Sequence, residues 1–219
     1  MLPLTEFYMI RHGETEANAA KIMAGSIDSP LTQRGRDQAY SAGKVIANLP
    51  QAPTHIIHSH LSRARDTATI INEFVKTETH EDPDFAELHT GDWEGASYEE
   101  CRGLLTGWVT PPNGESFDQF IERLKRGKQK HLSQKNAPVL IVCHGGVFRA
   151  FGKIYGLDIP GVRNCHLYHF EPTPTPVNTN MSAEISFPWT VWDYELDPLG
   201  KITKTRSRVF HDPEFKIAL

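Results

Sequence analysis

Two short stretches of this chain set a histidine against glycine straight after an apolar run: Arg11-His12-Gly13 and His144-Gly145-Gly146. Glycine after each histidine lets the backbone approach a ligand closely, and a helix beginning there aims free N–H groups at an anion. Arg11 and Arg63 supply planar guanidinium forks suited to bidentate binding of a phosphoryl group. Each feature alone has an ordinary explanation. A lone His-Gly is usually structural, with its polar atoms satisfied locally. Arg63 near Asp66 would by itself be a solvated surface charge. Together, at the ends of neighbouring strands, they describe a cationic pocket for a compact dianion.

Strands and helices must deliver those groups. Residues 6–10, 54–58 and 139–143 are brief apolar runs that read as buried strands, each followed by polar residues of the set. Helical apolar spacing follows at Ala39, Ala42, Ile46 and Leu49, at Leu61, Ala64, Ala68, Ile71 and Val75, and at Phe117, Phe120, Ile121 and Leu124. Alternation of this kind predicts an α/β, three-layer sandwich: a mainly parallel central sheet flanked by helices, with ligands beyond the carboxyl ends of its strands. Residues 83–135 are expected to form an inserted helical cap over one edge of the sheet, entered through the Pro111-Pro112-Asn113-Gly114 turn. Residues 171–219 form a C-terminal extension. There Pro172, Pro174 and Pro176 suggest a stiff linker, and strand-like segments at Phe187–Leu196 and Lys201–Phe210 suggest a β-hairpin.

Composition sets the wider bounds. A chain of 219 residues suits a single domain spanning 1–219. With 23 Lys and Arg against 27 Asp and Glu, the net charge of −4 leaves no electrostatic footprint for nucleic acid or an anionic membrane. Any bound anion must therefore be met by a local cluster of cations. No apolar stretch reaches membrane-spanning length and no leader pattern opens the chain, so a soluble, cytoplasmic protein is expected. Cys101, Cys143 and Cys165 have no metal-type spacing and suggest no disulfide framework.

The motifs, taken in order, resemble those of the histidine phosphatase superfamily, the phosphoglycerate-mutase-like enzymes. The resemblance runs through Arg11-His12-Gly13-Glu14-Thr15 with Asn18, then Gly25, Asp28, Leu31-Thr32 and Gly35. It continues through Ser59-x-Leu61-x-Arg63-Ala64-x-x-Thr67, Glu87-Leu88-x-x-Gly91-x-Trp93-Glu94-Gly95 and Pro112-x-Gly114-Glu115-Ser116 to His144-Gly145-Gly146, covering roughly residues 6 to 170.

That resemblance implies roles. His12 would be the nucleophile that becomes phosphohistidine. Arg11, Asn18, Arg63, His144 and Gly145 would hold the phosphoryl oxygens, with His144 protonated so that it acts as a cation. Glu87 would protonate the departing alkoxide and then activate water. Asp92, Glu94 and Glu14 are rivals for that task; Glu94 is expected to bond backbone at its turn. Glu14 is expected to support the site by orienting its arginine or histidine side chains. No metal and no other cofactor is implied. One departure is Ala24, where the family usually has a hydroxyl or amide residue against phosphate, a loss of about 1 kcal/mol.

Mutases of this family resemble Glu-Arg-His-Tyr-Gly at the acid loop and His-Gly-Asn-Ser at the last motif. This chain has Glu87-Leu88-His89-Thr90-Gly91 and His144-Gly145-Gly146-Val147, and little room between Trp93 and Ser116 for a substrate-binding insertion. The expectation is therefore a phosphomonoester hydrolase acting on a small phosphorylated metabolite. A mutase-type phosphotransferase and a non-catalytic phosphate-binding module are the alternatives. Leu88, Trp93, Trp108 and Phe117 could line an apolar mouth, although such residues are more often core. A metallohydrolase using His58-x-His60 or His166-x-x-His169 lacks obvious further ligands. No nucleic-acid or membrane partner is expected; a homodimer through an edge strand is.

Overall fold

An unbroken run of buried apolar side chains at Phe7–Arg11, ending at the arginine, forms β1, and Val139–Cys143 forms the fully buried β4 beside it. The computed structural model describes residues 3–133, 138–173, 187–197 and 199–215. Its remaining strands are β2 (His55–His58), β3 (Glu78–Glu81), β5 (Leu167–Pro172), β6 (Trp189–Leu196) and β7 (Ile202–Arg206). The helices are α1 (Glu16–Ala19), α2 (Gln33–Ala47), α3 (Ser62–Val75), α4 (Tyr98–Thr106), α5 (Phe117–Leu132), α6 (Gly145–Ile154) and α7 (Arg208–His211).

All seven strands join one sheet in the order β3-β2-β4-β1-β5-β6-β7. The first four are parallel. β5, β6 and β7 then add by antiparallel pairing. Strand periodicity sorts the side chains to two faces. Phe7, Met9, Ile57, Ile141, Tyr168, Phe170 and Val191 face a core shared with Phe120, Leu124, Phe148 and Phe151 of α5 and α6. Tyr8, Ile10, Ile56, Leu140 and Val142 face a second core, built with α2 and α3. This is a three-layer α/β sandwich, and among the described residues no helix is long and apolar enough to cross a membrane.

Several expectations change. Within 83–135, α5 covers a face of the sheet beside α6 instead of lying over an edge. The 93–98 segment is bonded to the loop after β1: Met23 N–H donates to the Ala96 carbonyl, and Tyr98 N–H to the Lys21 carbonyl. Pro172 is the last residue of β5, not a linker residue, because it opposes Trp189 in the β5–β6 ladder. Pro174, Pro176 and Pro198 lie outside the described residues. The C-terminal hairpin is present as β6–β7, but its second strand stops at Arg206 and the chain turns into α7, which buries Val209 and Phe210.

Candidate active site

β1 and β4 run in register with Arg11 opposite Cys143, so the two histidines leave the sheet side by side. His12 N–H donates to the Cys143 carbonyl at 3.0 Å, and the rings of His12 and His144 have centroids 5.1 Å apart. Arg63 reaches the same place from the first turn of α3, and Glu87 from the loop before α4. Arg11, His12, Asn18, Arg63, Glu87 and Gly145 line one cavity of about 790 Å³. His144, against His12, is fully buried.

The hydrogen bonds fix the chemical state of each imidazole. His12 Nδ1 lies 2.7 Å from the Gly13 carbonyl oxygen, which can only accept. Nδ1 therefore carries the proton and Nε2 keeps its lone pair. Burial, and then the charges of Arg11 and Arg63, hold this imidazole well below its ordinary pKa. It is neutral at pH 7.

His144 is neutral in the free protein, whereas the cation anticipated above is the form that the charges of a bound phosphate would favour. Arg63 Nε donates to His144 Nδ1 at 3.3 Å, which requires a lone pair there and places the ring's proton on Nε2. Burial, and then Arg63, His12, Arg11 and Arg123, push the pKa of His144 well below its ordinary value. Nε2 is buried with no partner among the described residues, and so is Arg11 Nε. Unpartnered buried donors are costly and rare. Two of them beside one cavity are what an anion would satisfy.

Arg63 is 2% exposed and anchored by the Gly25 and Ile27 carbonyls at 2.7 and 2.9 Å. Gly25 has φ +53°, and a side chain there would overlap the Thr90 hydroxyl and the Glu94 carboxylate. Asn18 turns its Oδ1 to the Thr15 N–H and to Asn164, each at 3.3 Å, which leaves its amide N–H groups for a ligand.

Glu87 Oε1 accepts from Leu88 N–H at 2.9 Å, and Oε2 from Gly146 N–H at 3.1 Å at the start of α6. A Cβ at residue 146 would overlap Oε1, so glycine there makes room for the carboxylate. The rival acids are engaged elsewhere. Asp92 accepts from Asn113 Nδ2, and Glu94 from the Ser26 backbone and hydroxyl. Glu14 lines the cavity, but its carboxylate takes the Thr32 hydroxyl at 2.9 Å and pairs with Arg34 at 3.3 Å. It thus ties the loop after β1 to the start of α2 instead of orienting Arg11 or His12.

Other residues belong to the site without having been expected. Arg123 of α5 commits all five N–H groups: two to the Glu115 carboxylate and three to the carbonyls of Asp84, Ala86 and Glu87. It thereby sets the backbone that carries Glu87. Asn164 Nδ2 donates to the His12 carbonyl at 2.8 Å. The Thr90 hydroxyl, buried and without a partner among the described residues, stands against Gly25 on the cavity wall next to Ala24. Leu88 and Phe117 line the cavity, whereas Trp93 and Trp108 pack on the core.

The histidines considered as metal ligands have other neighbours: His166 lies 3.5 Å from Asp193 and 3.3 Å from Glu195. His58 bonds the Ser59 carbonyl and His60 is exposed. Among the described residues, the one group close enough to hold a metal is Glu6, His169 and Glu171, where Lys204 already pairs with Glu171.

Comparison with known proteins follows the same line. The model of the histidine phosphatase superfamily (branch 1) matches residues 7–175. A protein named "Probable phosphoglycerate mutase GpmB" from Erwinia tasmaniensis is 33% identical over 190 residues, 79% of this chain and 87% of its own length. The adenosylcobalamin/alpha-ribazole phosphatase of Salmonella typhimurium is 33% identical over 155 residues, 64% of this chain and 74% of that protein. Among solved structures, a mycobacterial glucosyl-3-phosphoglycerate phosphatase superposes with a TM-score of 0.68 at 26% identity, covering 77% of this chain and 92% of that one.

Proposed function

This chain belongs to the histidine phosphatase superfamily, branch 1, and is a phosphatase-type enzyme; on that footing we propose that it hydrolyses phosphomonoesters of small metabolites, without a metal, through a phosphohistidine at His12. The observation that carries this reading is the state of His12: neutral, with Nδ1 bonded to the Gly13 carbonyl and Nε2 free beside the unspent donors of Arg11 and His144.

In the proposed reaction, His12 Nε2 attacks phosphorus in line and the ester P–O bond breaks. Arg11, Arg63, the His144 Nε2–H, the Asn18 amide and the Gly145 N–H take the phosphoryl oxygens as charge spreads over them. Glu87, entering with a proton, gives it to the departing alkoxide. The carboxylate then takes a proton from water as that water attacks the phosphohistidine, and inorganic phosphate leaves with His12 and Glu87 restored. The guanidinium groups supply positive charge that a metal would otherwise provide. Retaining the nucleophile and both arginines argues against a non-catalytic module. Gly146 and the Leu88-His89-Thr90 loop argue for hydrolysis over phosphoryl return to a retained product.

The test is p-nitrophenyl phosphate turnover in excess chelator for wild type and His12→Ala. Activity in the first and its loss in the second are expected. Sensitivity to chelator, or an active His12→Ala protein, would refute the reading.

A further inference from the structure

We propose that the Thr90 hydroxyl is a further phosphoryl-binding group, donating to an oxygen of the bound phosphate on the side of the pocket where Ala24 offers no polar side chain. This deepens the hydrolase reading and rests on it.

The starting point is the set of buried polar atoms that folding leaves unpaired. Five such side-chain atoms occur among the described residues, and three of them, Arg11 Nε, His144 Nε2 and Thr90 Oγ1, stand at this one cavity. An unpaired buried polar atom is costly, so three together mark a place where a ligand completes the bonding. Arg11 and His144 are donors already assigned to the phosphoryl oxygens. A hydroxyl can join them, because its proton rotates to whichever acceptor is at hand.

Local structure does not spend this hydroxyl on the fold. Thr90 precedes the short 3-10 turn Gly91–Trp93, where a threonine side chain ordinarily caps the first N–H groups. Here the Thr90 carbonyl takes the Trp93 N–H at 3.0 Å, and the side chain makes no cap bond. The residue is buried instead, with Oγ1 set against Gly25. A Cβ at residue 25 would stand 2.2 Å from Oγ1, so glycine there keeps the place of the hydroxyl open. Glu94 Oε1 also borders Gly25, but it already accepts from the Ser26 N–H and hydroxyl, both at 2.7 Å.

Position completes the case. The Gly25 carbonyl is the one that Arg63 Nη2 grips at 2.7 Å, so hydroxyl and guanidinium meet the same residue. Arg63 Nε in turn meets His144. Thr90 follows Glu87 by three residues on the loop that carries the acid, and both line the cavity. Ala24 lines it too, next to Gly25, with a methyl group alone. A phosphate held by Arg63 and His144 therefore has that methyl group and the Thr90 hydroxyl side by side on its flank.

The experiment measures inorganic phosphate binding by calorimetry, and kcat/KM on p-nitrophenyl phosphate and glycerol 1-phosphate. Thr90→Val, which keeps the shape and removes the hydroxyl, should weaken phosphate about tenfold, the low end for a hydrogen bond to a charged group. The kcat/KM values should fall by the same factor on both substrates, because the contact is to the group they share. Thr90→Ser should stay near wild type, the melting temperature should not move, and Ala24→Ser should restore part of what Thr90→Val loses. Unchanged phosphate affinity in Thr90→Val would overturn the inference, as would a loss confined to one substrate. A loss that comes with a lower melting temperature, and that Thr90→Ser shares, would mark a packing role and overturn it too. Phosphate binding is read without turnover, so a protein that binds phosphate through Thr90 yet hydrolyses neither substrate would fail the hydrolase reading alone.

Discussion

Arg63 Nε points at Nδ1 of His144, 3.3 Å away, and this contact sets the histidine as a neutral donor in the free protein. A protonated ring would set N–H against N–H. In the arrangement found, the arginine is held by the Gly25 and Ile27 carbonyls and in turn fixes the tautomer that leaves His144 Nε2–H free. His12 is set in the opposite sense, with its proton on Nδ1 through Gly13 and its lone pair on Nε2. One ring is prepared to attack, the other to donate.

Both imidazoles should therefore stay neutral to well below pH 6.5 in the free protein. An NMR titration of labelled histidine should show two rings with no transition near 6.5. The same shifts bear on stability. Because both folded pKa values lie below the unfolded value, the unfolded state binds more protons as pH falls through 6.5. Stability should then drop on the acid side, by up to about 1.4 kcal/mol per pH unit for each ring. Replacing His144 with Gln should reduce that slope. An unchanged slope would contradict the assigned states.

Glu87 and Gly146 should behave as one unit. Glu87→Gln should slow hydrolysis of an alkyl phosphate by about 100-fold or more, yet slow p-nitrophenyl phosphate far less, because a good leaving group needs little help from an acid. Gly146→Ala places a methyl where Oε1 now lies and should show the same dependence on leaving group, more weakly. Equal losses on both substrates would argue that Glu87 is not the acid.

Arg123 offers a test of the supporting structure. Arg123→Met strips three carbonyls of their donor and leaves the Glu115 carboxylate without its partner, at a cost of about 3 kcal/mol. Chemical denaturation should show that loss. Activity on alkyl phosphates should fall further than activity on p-nitrophenyl phosphate, since Glu87 loses its fixed backbone.

Lys128 lies in the core at 1% exposure, its Nζ 3.2 Å from the centre of the Phe151 ring and 3.7 Å from Met9 Sδ. Burial lowers its pKa well below the ordinary value of 10.5. The unfolded chain holds a proton there that the folded chain releases, so this residue makes stability rise with pH up to about 10.5. Lys128→Met should stabilise the protein at pH 7 and flatten that dependence, as read by thermal melts between about pH 6 and 10. Destabilisation at pH 7 would contradict it.

Much of this was legible in the sequence for a physical reason. β1 and β4 are buried on both faces, so they appear as unbroken apolar runs, and the abrupt change to Arg11-His12-Gly13 and His144-Gly145-Gly146 marks their carboxyl ends. β3, Glu78-Thr79-His80-Glu81, has four exposed residues and joins the sheet by pairing to β2, so no apolar side-chain pattern announces it. β5 was hidden by His169, which interrupts an apolar run but is buried because Glu6 accepts from its ring at 2.6 Å. Arg123 stands among other charged residues on α5, and nothing in the sequence separates it from them. Its partner Glu115 precedes the helix, outside the spacing at which side-chain pairs are read from sequence. The tautomers could not be read at all, since they depend on which carbonyl or guanidinium each ring meets after folding.

The central claim is a covalent bond between phosphorus and His12. It is tested most directly by mixing the protein with a 32P-labelled phosphomonoester, quenching in alkali within the first turnover and locating the label by peptide mapping. Acid-labile, alkali-stable label on the peptide containing His12, absent from His12→Ala and accumulating in Glu87→Gln with a good leaving group, is the expected result. Full turnover with no labelled protein at any quench time, or label on another residue, would contradict the account.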